Sequence, residues 1–314
     1  KKSKKWHLIF TFVVYYKEVQ ENMKSAVKLL PIIYMVCLSY ALFGQGERRL
    51  LMEKDASSVR ELYENDMYAA VQSEVAGMML KYEDHIPVHL EMEMQSYYVF
   101  SGIRLKQTDI DALVADFGSR YPHSPRLALI KFEQSLYYFE KGDYSRSIAV
   151  LRGVENKYLS KSQRLEYMFN KAYCNMRVGD NKEAMAGFKQ IIALGKTPYL
   201  APSTYYLGYL HYISNGFSDA VKMFKNLESH HEYSNMARYY ISESYFMMKE
   251  YANAIAYGEK VYEKLEGDLK LKSVRVLSQS YYEMDNPKEA KRYLEMYSSE
   301  NDNLSRKDNY YTGV

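Results

Sequence analysis

From residue 57 onward, apolar side chains recur three and four positions apart, the spacing of helices with one buried face. Between residues 142 and 294 this pattern repeats. The segments GDYSRSIAVL (142–151), GDNKEAMAGF (179–188), NGFSDAVKMF (215–224), KEYANAIAYG (249–258) and DNPKEAKRYL (285–294) superimpose without gaps. A small residue recurs in them at Ser147, Ala184, Ala220, Ala254 and Ala290, at intervals of 37, 36, 34 and 36. Twelve residues before each lies another, at Ser135, Ala172, Gly208, Ser242 and Ser278. Two small residues at this offset let a pair of short helices approach closely where they cross, so each unit is expected to be a helical hairpin. Three places after the first small residue stands Tyr138, His211, Tyr245 or Tyr281, and four after the second Leu151, Phe188, Phe224 or Leu294. The second unit departs from the pattern with Asn175 and the fourth with Gly258.

Two weaker hairpins are expected ahead of these, over 57–82 and 92–121, each with helical apolar spacing broken near its middle. The second ends in Tyr121-Pro122-His123-Ser124-Pro125, a proline stop followed by a serine N-cap with proline at the first helical position.

The fixed spacing over residues 126–300 resembles the tetratricopeptide repeat, a 34-residue helical hairpin. Envelope proteins of that family often carry a similar Tyr-Pro-x-Ser-Pro junction. The resemblance implies an all-α chain: a right-handed α-solenoid of stacked antiparallel helix pairs whose first helices line a concave groove. Carried over slot by slot, it implies a partner-binding groove of Phe132, Phe169, Tyr173, Tyr205, Tyr209, Tyr212, Tyr239, Phe246, Arg275 and Tyr282. Leu136, Phe139, Met176, Arg177, Glu243 and Gln279 fall in neighbouring slots. Aromatic groups suit the holding of an extended peptide or helix, but an aromatic stripe at helical spacing equally suits packing between helices.

The ends of the chain have their own pattern. Residues 23–44 follow the order of a secretory signal peptide: Met23, Lys24 and Lys28, an apolar run from Leu29 to Phe43, then Gly44 as the cleavage point, leaving Gln45 first. The run is shorter than the roughly 20 residues that span a bilayer, and an uncleaved anchor is the alternative, with membrane association through residues 8–43. The residues before Cys37, Ile33-Tyr34-Met35-Val36, lack the small residues of a lipobox. Residues 1–22 are expected to be an untranslated or disordered extension. The leader and the Gln45 start resemble exported proteins of Gram-negative Bacteroidetes. At the other end, Gly313 stands 35 residues after Ser278, so residues 301–314 are expected to begin a truncated, poorly fixed sixth repeat of a longer protein. Residues 45–125 and 126–300 then hold the two degenerate hairpins and the five repeats.

Composition agrees with a folded helical protein. Of 314 residues, 47% are apolar and 26% charged, and 15 Gly and 7 Pro are too few for a turn-rich β architecture. The 34 tyrosines are the outlier. The formal charge of +3 comes from the first 44 residues, which carry a net +5 and leave −2 for the rest, so no basic surface argues for nucleic acid.

Candidate chemistry is sparse. His85 and His89 are four apart, as metal ligands on one helix face would be, but Pro87 between them disfavours that helix. His230 and His231 fall in an inter-repeat turn, Asp109 and Asp111 suit a helix start, and Cys174 reads as a core residue. No phosphate-binding, nucleophile-elbow or HExxH motif is present. No cofactor, metal or catalytic residue is expected. The favoured function is a non-catalytic scaffold of the periplasm or outer envelope that binds a protein or peptide. The alternatives are the extracytoplasmic sensor part of a membrane signalling protein and a glycan-binding protein.

Overall fold

The computed structural model describes Met35 and residues 46–299. Residues 1–22, the leader at 23–44 apart from Met35, and the expected sixth-repeat start at 301–314 lie outside the described residues. The described residues contain helices and turns and no strand. Backbone contacts divide the chain after Tyr121 into two units.

In the first unit, α1 spans residues 46–64, α2 Tyr68–Tyr82, α3 Val88–Arg104 and α4 Ile110–Arg120. Its core gathers Ala56, Val59, Val71, Val75 and Met94, all fully buried. Polar pairs hold it from the sides. Arg60 donates to both oxygens of Glu93 at 3.0 and 2.9 Å, and the Gln72 and Gln107 amides exchange hydrogen bonds at 3.1 and 2.8 Å.

The second unit is a solenoid of helix pairs: α5 Pro125–Glu140 with α6 Tyr144–Leu151, α7 Lys161–Arg177 with α8 Asn181–Ala193, α9 Leu200–Ile213 with α10 Phe217–Lys225, α11 Ser234–Met247 with α12 Tyr251–Val261, and α13 Gly267–Glu283 with α14 Pro287–Ser299. Ser124 caps α5 as its sequence predicts, accepting from Arg126 N at 3.1 Å with Pro125 first in the helix. Ser160 and Gln163 form a reciprocal capping box on α7.

The small-residue register is where the paired helices touch. All ten small positions are buried. Ser147 Oγ donates across the first pair to Ser135 O at 3.0 Å, and Ser278 Oγ across the fifth to Ala290 O at 2.8 Å. At Gly208 a Cβ would stand 3.0 Å from the Phe224 ring, and at Gly258 2.7 Å from Leu277 Cδ2. Gly258 therefore departs from the pattern because α12 passes closer to α13 than a larger side chain allows.

Every pair turns the same way. Gly142, Gly179, Asn215, Lys249 and Asp285 all adopt positive φ, between 55° and 88°, directly after the first helix. In each turn the next residue's N–H reaches back to the carbonyl five positions earlier, as Asp143 N does to Tyr138 O and Asn286 N to Tyr281 O. This is the left-handed C-cap that ends a helix and satisfies its last carbonyls.

Candidate partner-binding face

The first helices of the second unit carry the groove residues expected from the sequence. Rings in contact run continuously from α5 to α11. Phe139 meets Tyr173 with centroids 5.4 Å apart, Tyr173 meets Tyr206 at 5.1 Å, and Tyr206 meets Tyr205 at 5.2 Å. Tyr205 then meets Tyr240 at 6.5 Å, and Tyr240 meets Tyr212 at 5.0 Å. Phe169 joins by stacking on Tyr199 at 4.9 Å, Tyr209 by meeting Tyr240 at 6.0 Å, and Tyr239 by meeting Tyr240 at 5.2 Å. Edge-to-face and offset pairs of this kind each add about 0.5–1.5 kcal/mol beyond area burial.

Of the expected set, the structure thus links Phe169, Tyr173, Tyr205, Tyr209, Tyr212 and Tyr239. Phe132 is 1% exposed, packed in a cluster with Ile148, Leu151 and Tyr167, and offers a partner no surface. Phe246 packs its ring against Tyr251, and Tyr282 is exposed at the far end of α13. Sequence reasoning passed over Tyr206 and Tyr240, which form the joints of the tract. Tyr240 lies nearly parallel to the core residue Phe224 at 5.1 Å, and Tyr206 stacks on Phe188 at 5.7 Å. Their signal was the Tyr-Tyr doublet at 205–206 and again at 239–240: adjacent rings diverge, one along the face and one into the next pair.

A polar cluster lies within the tract. Glu243 is 9% exposed, and its Oε2 has no hydrogen-bond partner; Arg275 Nε is likewise buried and unpaired. Both face Tyr212 and Tyr239. Burial pushes the Tyr212 phenol up to about 12, with the Glu243 charge adding to the shift and Arg275 opposing it. The same forces, led by burial, raise Tyr239. An unpaired buried acceptor and donor each carry a desolvation cost on the order of 1–3 kcal/mol, and native structures keep few of them. At the tract's other end Arg177 stacks over the Tyr144 ring at 4.4 Å and donates to Tyr173 Oη at 3.0 Å.

The other candidates are not brought together. His85 closes a short 3-10 turn, with Nδ1 3.2 Å from Tyr82 O, whereas His89 lies in α3 beyond the Pro87 N-cap. His230 Nδ1 accepts from Glu232 N at 3.3 Å within a turn. Asp109 occupies the N-cap of α4 without a side-chain capping bond. Cys174 is fully buried, its Sγ 3.4 Å from Ser147 Oγ, and burial pushes its thiol up. Among the described residues no group of three His, Cys, Asp or Glu is placed to hold a metal ion, and no helix is long and apolar enough to cross a membrane.

No protein-family model matches the sequence, and no curated protein does. Solved structures do. The apo form of RapI superimposes with a TM-score of 0.51 at 14% identity, over 81% of this chain and 78% of its own. The chain has the tetratricopeptide-repeat fold. Two further structures of that comparison are a tetratricopeptide repeat protein from Parabacteroides merdae ATCC 43184, at a TM-score of 0.46 and 13% identity over 83% of this chain and 97% of its own, and MamA, at 0.48 and 13% over 57% and 94%. In this tetratricopeptide-repeat solenoid, the second unit, the tract of rings is built from successive first helices, α5, α7, α9 and α11.

Proposed function

We propose that the chain is a non-catalytic scaffold that holds an extended segment of a protein partner along the aromatic tract from Phe139 to Tyr240. The observation that carries this reading is the unpaired polar couple within the tract: Glu243 Oε2 can accept and Arg275 Nε can donate. Main chain laid across Tyr212 and Tyr239 gains contact area from the rings, and where it displaces them its one donor and one acceptor would satisfy both buried atoms. The tetratricopeptide-repeat neighbours support a protein partner in general. The signal-like order of residues 23–44 supports export to the envelope as the place of action.

The test is site-specific photo-crosslinking in the source cell, with the reactive group placed at Tyr209 or, as a control, at the exposed Lys182. Capture of a partner from position 209 but not 182, lost in the Glu243→Gln, Arg275→Gln double variant, is the expected result. Equal capture from both positions, or capture indifferent to the double variant, counts against it. Mapping the N-terminus of the captured chain tests export, for which Gln45 is the expected first residue.

A further inference from the structure

The repeats of the second unit differ in how they fill the space between their two helices. In the fifth, Tyr281 of α13 stacks on Tyr293 of α14, with centroids 5.7 Å apart and planes at 10°. Tyr262, which begins the 3-10 turn Tyr262–Lys264, meets Tyr293 edge-on at 5.8 Å and 90°. Moving these three positions back by the 106 residues between Ala172 and Ser278 gives Asn175, Gly187 and Asn156. The match is structural as well as numerical. Asn156 begins the 3-10 turn Asn156–Tyr158, and the Asn175 carbonyl accepts from Asp180 N at 2.8 Å as Tyr281 O does from Asn286 N at 3.0 Å.

Three rings are therefore missing together from the second repeat. Where they would lie there is a pocket of about 420 Å³ between α7 and α8, lined by Asn156, Tyr167, Met168, Lys171, Asn175 and Gly187 among others. That volume lies within the range of small-ligand sites. Gly187 cannot refill it, because a Cβ there would stand 2.8 Å from Ala172 Cβ. Asn175 is 4% exposed and its Oδ1 has no partner. The pocket residues share none with the aromatic tract, so the two sites stand independently.

We propose that this pocket binds a phenolic ring, the group that fills the equivalent space in the fifth repeat. A flat ring has Met168, Ala172 and Tyr167 to pack against. Its hydroxyl both donates and accepts, so it pairs with the Asn175 amide in either orientation of that group. A purely apolar ligand leaves the amide unsatisfied. A carboxylate or an ammonium meets Lys171 and Glu183 together, attracted by one and repelled by the other, and must still give up its water.

The test is a titration of the full chain with 4-methylphenol, followed by methyl NMR signals of Met168 and Ala172, with toluene as the same ring without a hydroxyl. Binding with a dissociation constant on the order of 1 mM is expected for a ligand of this size. Toluene should bind about tenfold more weakly, the equivalent of one hydrogen bond. Asn175→Tyr, which installs the residue of the first, fourth and fifth repeats, should abolish the response. Asn175→Ala leaves the pocket open and should reduce 4-methylphenol to the affinity of toluene, which keeps the test alive if the tyrosine variant fails to fold. A third probe, acetyl-Gly-Tyr-Gly-amide, separates the sources: binding as tight as 4-methylphenol assigns the ring to a tyrosine of a partner protein, and exclusion of the peptide assigns it to a free phenol. The proposal is overturned if 4-methylphenol leaves both signals unmoved at about twentyfold that concentration, binds Asn175→Tyr as well as the parent, or binds no better than toluene.

Discussion

Ala220 and Ala254 are fully buried on the second helices of their pairs, at the positions where Ser147 and Ala290 meet the opposing helix. A leucine at either has no space to enter without moving a helix. Ala254→Leu is expected to lower stability by about 1–3 kcal/mol, read as a reduced urea midpoint with an unchanged slope; a variant that unfolds with the parent refutes the register. These positions were legible in the sequence because crossing helices tolerate only small residues, and that demand recurs at every repeat. The site residues were less so. Phe132 and Tyr205 occupy equivalent slots in the pattern, yet one is sealed in the core and the other is half-exposed. Spacing tells which side of a helix a ring leaves from, and what packs over that ring is decided by neighbours many residues away.

At the scale of the element, the five inter-helix turns differ in how well their residue suits positive φ. Gly142 and Gly179 carry no steric penalty there, and Asn215 and Asp285 tolerate it, but Lys249 at φ 61° does not. Lys249→Gly is expected to raise stability by about 0.5–1 kcal/mol, measured by urea unfolding, with Gly142→Ala moving it the opposite way by a similar amount. The turn residues had been visible as the first letter of each aligned segment, Gly, Gly, Asn, Lys and Asp. Their left-handed conformation was hidden at Lys249, because nothing in a lysine announces it. The pocket between α7 and α8 was half legible in the same way. Asn175 broke the pattern openly, whereas Asn156 and Gly187 acquire meaning only once the fifth repeat shows three tyrosines in their places.

Over the whole molecule, the large stock of tyrosine sets the response to alkali. Burial pushes Tyr206, Tyr212 and Tyr281 up to about 12, and Tyr205, Tyr239, Tyr257 and Tyr293 in the same direction. In the unfolded chain these phenols release their protons near pH 10. Their contribution is therefore complete below pH 10 and is lost as pH rises through the folded values, because the unfolded state then binds fewer protons. Thermal melts followed by circular dichroism should give a steady transition temperature from pH 8 to 9.5 and a falling one from pH 10 to 12; a flat profile across that upper range would contradict the burial of these rings. Composition alone had marked tyrosine as abundant, but not that its hydroxyls lie among other rings. In the second unit each helix packs chiefly on its neighbours in chain order. A tensile load on that unit is carried by its joints in series, so it stretches by parting one pair at a time.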